Sequence, residues 1–320
     1  MSASFDLLVV GRPSVDVMFA GLPEWPALGK DVECDGLGVC AGTTFNTPAA
    51  ANRIGLRVAY VATVGDDLWS RIIREEFDAE GLPTDFLEIE DRPLPGVSVA
   101  LNHAGDRGFV THWGSDDTYG AKLDARALEV LTRVDARHLH TYVGESPELL
   151  AAARRRGMTI SLDAWDGPSW SSSRPIAELL AQADVLLANE SEATAMTGET
   201  ELQGAMDRLA EHCGCVVIKR GASGAIGLEG GRMRAVSADP VAVVDSTGAG
   251  DAFNAGFLAG WLGRLALEDS LILGVICGSR AAGDYGGYRG CPREPELRAI
   301  AASRGITLPS REPVPKGDPA

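Results

Sequence analysis

The sequence predicts an α/β fold, in which a parallel sheet is covered on both faces by helices and a small strand-only sheet lies beside it. Three observations lead there. Between about residues 138 and 219, short apolar strands alternate with helices, the pattern of β–α–β crossovers. Two stretches, about 12–39 and 94–114, read as strands without intervening helices. Near residue 245 a β-branched run passes through a glycine-rich turn into an apolar helix.

The elements follow in chain order. Phe5–Val10 is an apolar run with no basic stretch before it, so it reads as a buried strand and not a secretory signal. Asp31–Val39 and Gly96–Leu101 have the mixed faces of partly exposed strands. Thr44–Ile54 is Ala-rich and helical, ending at Gly55, and Arg57–Val64 is a strand. Leu68–Glu80 is a helix capped by Asp66 or Asp67 and stopped by Gly81. Then come the strands His138–Tyr142, Met158–Asp163, Val185–Ala188 and Cys215–Lys219. Helices at Pro147–Arg156, Ile176–Gln182, Ser191–Met196 and Leu202–His212 separate them. The last third is helical at about 250–263, 267–282 and 293–303, and the proline-rich tail 309–320 is expected to be loosely ordered.

Composition narrows the function classes. With 320 residues, 45% hydrophobic and 23% charged, the chain is an ordinary globular protein. Its formal net charge of −16 disfavours nucleic acid and anionic membranes as partners. No apolar run approaches the ~20 residues of a membrane span. The six cysteines form no C-x-x-C pair and the five histidines no H-E-x-x-H, so the thiols read as reduced and buried in a cytoplasmic protein.

The chemistry concentrates after Val241–Val244, read as a short strand. Asp245-Ser246-Thr247-Gly248-Ala249-Gly250-Asp251 follows, then the apolar helix from Ala252. Small residues at a helix N-terminus let backbone N–H groups approach an anion. Asp251 at that place reads either as a helix cap or as a base for a hydroxyl proton. No G-x-x-x-x-G-K-[ST] segment is present, so an ordinary P-loop is excluded. The first strand is followed by Gly11-Arg12-Pro13-Ser14, not by the G-x-G-x-x-G of a dinucleotide site.

Residues 245–253 resemble the C-terminal signature of the PfkB/ribokinase family of carbohydrate and nucleoside kinases. Other elements appear in that family's order. Gly42, Asn46, Ala50 and Gly55 match the fixed positions of its first signature, and Gly65-Asp66-Asp67 resembles its V-G-x-D. Asn189-Glu190-Ser191-Glu192 resembles its N-x-x-E, and Lys219-Arg220-Gly221-Ala222-Ser223-Gly224 its K-x-G-x-x-G. The resemblance runs from about residue 5 to 303. It implies a single ribokinase-like, Rossmann-type three-layer αβα sandwich with a small β-sheet lid, built from the inserted segments 12–39 and 94–114.

It further implies an ATP-dependent kinase for a sugar, sugar acid or sugar-like acceptor, with a nucleoside kinase or a non-catalytic metabolite-binding relative as rivals. Asp251 would be the base, and Gly248, Ala249 and Gly250 the anion hole. Asp16, Gly42 and Asn46 would bind acceptor hydroxyls, and Arg107 in the lid an anionic group. Asn189, Lys219, Gly221, Gly224 and Thr247 would lie along the nucleotide. Glu192 would act through water on Mg²⁺, Asp245 would serve K⁺ where members use it, and a homodimer would form through the lid. Two departures bear on the substrate. Ala41-Gly42-Thr43-Thr44 replaces the usual paired glycines, with Pro48 in the helix start, which argues against a straightforward ribokinase. The late segment 277–292 matches loosely, with Arg280 and Asp284 where small apolar residues are usual.

Overall fold

The structure, a computed structural model, describes residues 4–103, 106–114, 116, 118–143, 146–165 and 175–309. The strands are β1 Ser4–Phe5, β2 Leu7–Val10, β3 Pro13–Leu22, β4 Gly36–Thr43, β5 Val58–Val64, β6 Leu87–Ile89, β7 Val97–His103 and β8 Asp106–His112. They continue as β9 Asp135–Ala136, β10 His138–Tyr142, β11 Thr159–Asp163, β12 Val185–Asn189, β13 Cys215–Lys219, β14 Ala225–Glu229 and β15 Arg232–Val236. The helices are α1 Asn46–Arg53, α2 Leu68–Glu80, α3 Tyr119–Arg133, α4 Pro147–Arg155, α5 Ile176–Leu180, α6 Glu190–Thr197, α7 Leu202–Ala210, α8 Ala249–Leu262, α9 Leu267–Ala282 and α10 Glu294–Ser303.

The main sheet has the order β15-β14-β13-β12-β11-β10-β2-β5-β6. It is parallel from β13 to β6, with β14 and β15 antiparallel at one edge. Alternate residues serve alternate faces. Leu7, Val9, Val185 and Leu187 pack with α1, α8 and α9, while Leu8, Val10, Leu186 and Ala188 pack with α3, α4 and α7. Both faces are therefore covered, which is why these strands read as continuous apolar runs. No helix among the described residues is long and apolar enough to cross a membrane. All six cysteines are free thiols and five are buried.

A second sheet, β4-β3-β7-β8, stands beside the first. Register puts Cys40, Asp16, Ser98 and Thr111 in one row, and Val39, Val17, Val99 and Val110 in the next. Because successive side chains point to opposite faces, the first row turns to the cavity described below. The second row lies on the far face, where Val110 is 67% exposed and neighbouring Leu37 65%.

Several expectations need correction. The strand expected at 31–39 is β4, which begins at Gly36 and runs on to Thr43. Val241–Val244 is not a strand. β15 ends the sheet at Val236, so these β-branched residues have no partner strand, and the Val244 and Asp245 N–H groups both donate to the Ala282 carbonyl, at 2.9 and 3.2 Å. The first helix starts at Asn46, two residues later than expected, because Thr43 takes a left-handed φ of 52°. Pro48 then falls in the first helical turn, where its missing N–H costs nothing. Helix α3 and the β14–β15 hairpin were not anticipated. The tail expected beyond 309 lies outside the described residues.

Candidate active site

A cavity of about 1030 Å³ opens at the C-terminal ends of the parallel strands, beneath the small sheet. Asp251 lies at its floor, in the first turn of α8, with Gly248 preceding the helix at φ 69°. A Cβ on Gly248 would sit 2.5 Å from Gly287 Cα, so the turn closes only with glycine there. Asn46 Nδ2 donates to Asp251 Oδ2 at 3.3 Å, and Thr47 Oγ1 to Oδ1 at 3.1 Å. Burial pushes the Asp251 carboxyl up to about 7; the Asp163 charge adds to the rise, and Lys219, Thr47 and Asn46 oppose it. That value suits a general base near neutral pH. The Ala249 N–H is engaged by the Ser246 carbonyl at 3.3 Å. Of the three amides expected to face an anion, that of Ala249 is therefore already engaged.

Asp16 hangs from β3 into the same cavity. It accepts from Ser14 Oγ at 3.2 Å, and desolvation pushes it up to about 7, with smaller opposing effects from Ser14 and Thr43 and like-charge effects from Asp251 and Asp245. Gly42 is explained by this carboxylate, since a Cβ at 42 would lie 2.0 Å from Asp16 Oδ2. Thr43 keeps the left-handed backbone that a glycine would take without strain, and shares a 2.5 Å hydrogen bond with Ser14 Oγ. Arg107 lines the same cavity from the small sheet. Its Nη1 donates to Ser246 Oγ, and its guanidinium lies 5.6 Å from the Phe109 ring centre.

At the nucleotide end, Asn189 and Glu192 form a reciprocal capping box. Asn189 Oδ1 accepts from the Glu192 N–H at 2.8 Å, and Glu192 Oε2 from the Asn189 N–H at 2.7 Å. Both line the cavity, and Glu192 is buried. Gly221 and Gly224 take φ of 52° and 87°, and a Cβ on Gly224 would meet the Val236 carbonyl at 1.9 Å. Lys219 is bonded to Asp163 at 2.9 Å. Asp245 is 1% exposed. Its Oδ1 accepts from the Thr247 N–H at 3.0 Å and from Asn102 Nδ2 at 3.4 Å. Asp245 Oδ2 and Thr247 Oγ1 are buried without a hydrogen-bond partner.

The model of the pfkB family of carbohydrate kinases matches residues 38–294. The chain belongs to that family. A sugar kinase of Archaeoglobus fulgidus is 27% identical over 76% of this chain and 98% of its own. Ribokinase of Bacillus subtilis is 26% identical over 92% and 99%. The structure of Arabidopsis thaliana ribokinase complexed with ribose and ATP superposes with a TM-score of 0.75 at 21% identity, covering 93% of this chain and 99% of that one.

Some cavity residues of this pfkB-family chain escaped sequence reasoning. Thr47 and Asn254 carry no special spacing, and Asp163 read only as a strand end. The one available signal for Asp163 was its place at the C-terminal end of a parallel strand, where α/β sheets bind ligands. Trp113, Trp165, Phe109 and Tyr142 also line the cavity.

Proposed function

We propose that this pfkB-family kinase transfers the γ-phosphoryl group of ATP to a hydroxyl of a sugar, sugar acid or sugar-like acceptor held between Asp16 and Asp251. The observation that carries this reading is the meeting of two carboxylates, Asp16 from the small sheet and Asp251 from the first turn of α8, with a glycine turn at that helix N-terminus in one cavity. A carboxylate accepts from two vicinal hydroxyls, which suits Asp16 to a polyol. The acceptor O–H proton passes to Asp251 as the acceptor oxygen bonds to the γ-phosphorus. The bond from that phosphorus to the β–γ bridging oxygen breaks, and its electron pair leaves with ADP. Developing charge falls on the Gly248 and Gly250 amides and the α8 dipole. The small sheet acts as a lid that excludes water, and Asn102 and Arg107 tie it to Asp245 and Ser246.

Among the described residues no group of three or more His, Cys, Asp or Glu side chains is placed to hold a metal. Glu192, buried in the cavity wall, would hold Mg²⁺ through water. When bound, Mg²⁺ neutralises charge on the β- and γ-phosphates. The orphaned Asp245 Oδ2 and Thr247 Oγ1 fit a monovalent cation, K⁺, beside the turn. A second copy of the chain is the partner we assign to the apolar far face of the lid, and the free thiols accord with a cytoplasmic setting.

A nucleoside acceptor is the second reading, favoured by one observation. Trp113 and Trp165 meet edge to face at 6.2 Å in the cavity wall. Arg12, 4.9 Å from the Trp113 ring, pins it from behind. The test is ATP turnover against a panel of sugars, sugar acids and nucleosides, with Asp251→Asn alongside. Turnover on at least one sugar-like acceptor is expected, with a loss of about 10²–10⁴-fold on removing the base. A folded protein inactive on the whole panel, or an Asp251→Asn variant that keeps full turnover, would sink the reading.

A further inference from the structure

Three side chains beside the base form a closed triangle. Asp163 Oδ1 accepts from Lys219 Nζ at 2.9 Å, and Asp163 Oδ2 accepts from Asn254 Nδ2 at 2.8 Å. Lys219 Nζ also donates to Asn254 Oδ1 at 3.3 Å. Asp163 ends β11 and Lys219 ends β13, both at the mouth of the parallel sheet. Asn254 lies three residues after Asp251 on α8, hence on the same helix face. An ammonium has three N–H donors and the triangle uses two. Lys219 and Gly250 line the cavity together, and a Cβ on Gly250 would lie 3.5 Å from Nζ.

We infer that Asp163, with Asn254, is a positioning residue that fixes Lys219 against the glycine turn as the cation facing the transferred phosphoryl group, and keeps it off the Asp251 base. The inference rests on the kinase reading for its chemistry, but not for its geometry. Arg107 and Lys219 are the cations among the described residues lining the cavity, and Arg107 is held at Ser246. Lys219 is thus the buried cation next to the turn. A buried ammonium needs a compensating charge, and Asp163, Glu192 and Asp251 all act on it. Pairing with Asp251 would quench the base. Pairing with Asp163, braced by Asn254, leaves Asp251 with only the neutral donors Asn46 and Thr47. Lys219 keeps its proton there: burial disfavours the charge, but Asp163 and Glu192 outweigh it. Asp16 from β3 and Tyr60 from β5 also feel the Asp251 charge, while Glu192 from α6 acts on Lys219 and Asp245 from the turn on Asp16.

The test reads the Asp251 carboxyl directly, by ¹³C NMR titration of the full chain, alongside kcat for the best acceptor. In Asp163→Asn the repelling charge is gone and Lys219 is released toward Asp251. Both changes favour the carboxylate, so its midpoint falls below that of the wild type and the acid limb of kcat/KM moves with it. Turnover drops about 10–10³-fold, the scale of losing one preorganised electrostatic contact. Adding Lys219→Met to Asp163→Asn brings the midpoint back up, which a merely structural role would not do. Asn254→Ala keeps both charges and covers the case in which Asp163→Asn does not fold; its midpoint also falls. Folded variants whose Asp251 midpoint stays at the wild-type position overturn the inference. A wild type without turnover on any acceptor overturns the kinase reading alone, and the titration still decides the triangle.

Discussion

At the scale of single residues, the acceptor end is built around one buried carboxylate. Gly42→Ala drives a methyl group into Asp16, so either the β3–β4 register or the carboxylate must move. The expected outcome is a rise of at least about tenfold in acceptor KM with little change in ATP affinity, measured by steady-state kinetics. Thr43 is a left-handed β-branched residue, a conformation costing roughly 1–2 kcal/mol. Thr43→Gly should therefore raise the melting temperature or leave it level. It should also weaken acceptor binding, because the hydrogen bond to Ser14 is lost. A gain in both stability and acceptor affinity would mean that Thr43 has no part in the pocket. Asp16 and Asp251 are both pushed up to about 7, whereas an unfolded carboxyl titrates near ~3.9. Between these values the folded chain binds more protons than the unfolded one. These groups therefore make stability fall as pH rises from about 4 to about 7. Melting temperatures across that window should decline less steeply for Asp16→Asn than for the wild type, and equal slopes would count against the buried-carboxyl account.

At the scale of elements, what was legible followed from how each segment is buried. Strands covered on both faces, such as β12 and β13, read directly from their apolar runs. α2 read from its cap and stop, and Asp67 is the cap, accepting from the Trp69 and Ser70 N–H groups at 2.9 and 3.1 Å. The β14–β15 hairpin was obscured because it is an edge, with exposed Arg232 and Arg234 breaking the apolar pattern. Val241–Val244 misled in the opposite sense, with β propensity but no strand beside it. Within the candidate site, Gly42, Gly248 and Asp251 were readable because they sit in motifs that resemble the family's two signatures. Asp163 and Asn254 were not, since their partners come from elements distant in sequence. The turn that replaces the expected strand carries a prediction of its own. With Asp245 Oδ2 and Thr247 Oγ1 unpartnered, K⁺ should raise kcat several-fold over an equal concentration of a large organic cation. Asp245→Asn should abolish that difference while the chain stays folded. Rates that ignore the cation would remove K⁺ from the site.

At the scale of the whole molecule, the two sheets divide the work. In the proposed reading the main sheet and its helices place Asp251 and the nucleotide end, and the small sheet places Asp16 over the cavity. One face of the lid is turned to the cavity; the other presents Val39, Val99 and Val110 in one row, with Leu37 and Phe19 in the next, while Val17 packs against the core. A β-sheet face of this kind, with Val110 and Leu37 about two-thirds exposed at 67% and 65%, is unusual on a chain of formal charge −16. A second copy meeting it face to face would bury those rows as two packed sheets do. It would also restrict lid motion on both protomers. Sedimentation at micromolar concentration should therefore find a dimer, and Leu37→Lys with Val110→Lys should give a monomer whose core melts close to the wild type. Because a freed lid seals the cavity less well, the monomer should also hydrolyse ATP without acceptor faster, relative to transfer, than the dimer does. A wild type that sediments as a monomer would leave the apolar rows to another partner. A monomeric variant with unchanged hydrolysis would separate dimer formation from closure.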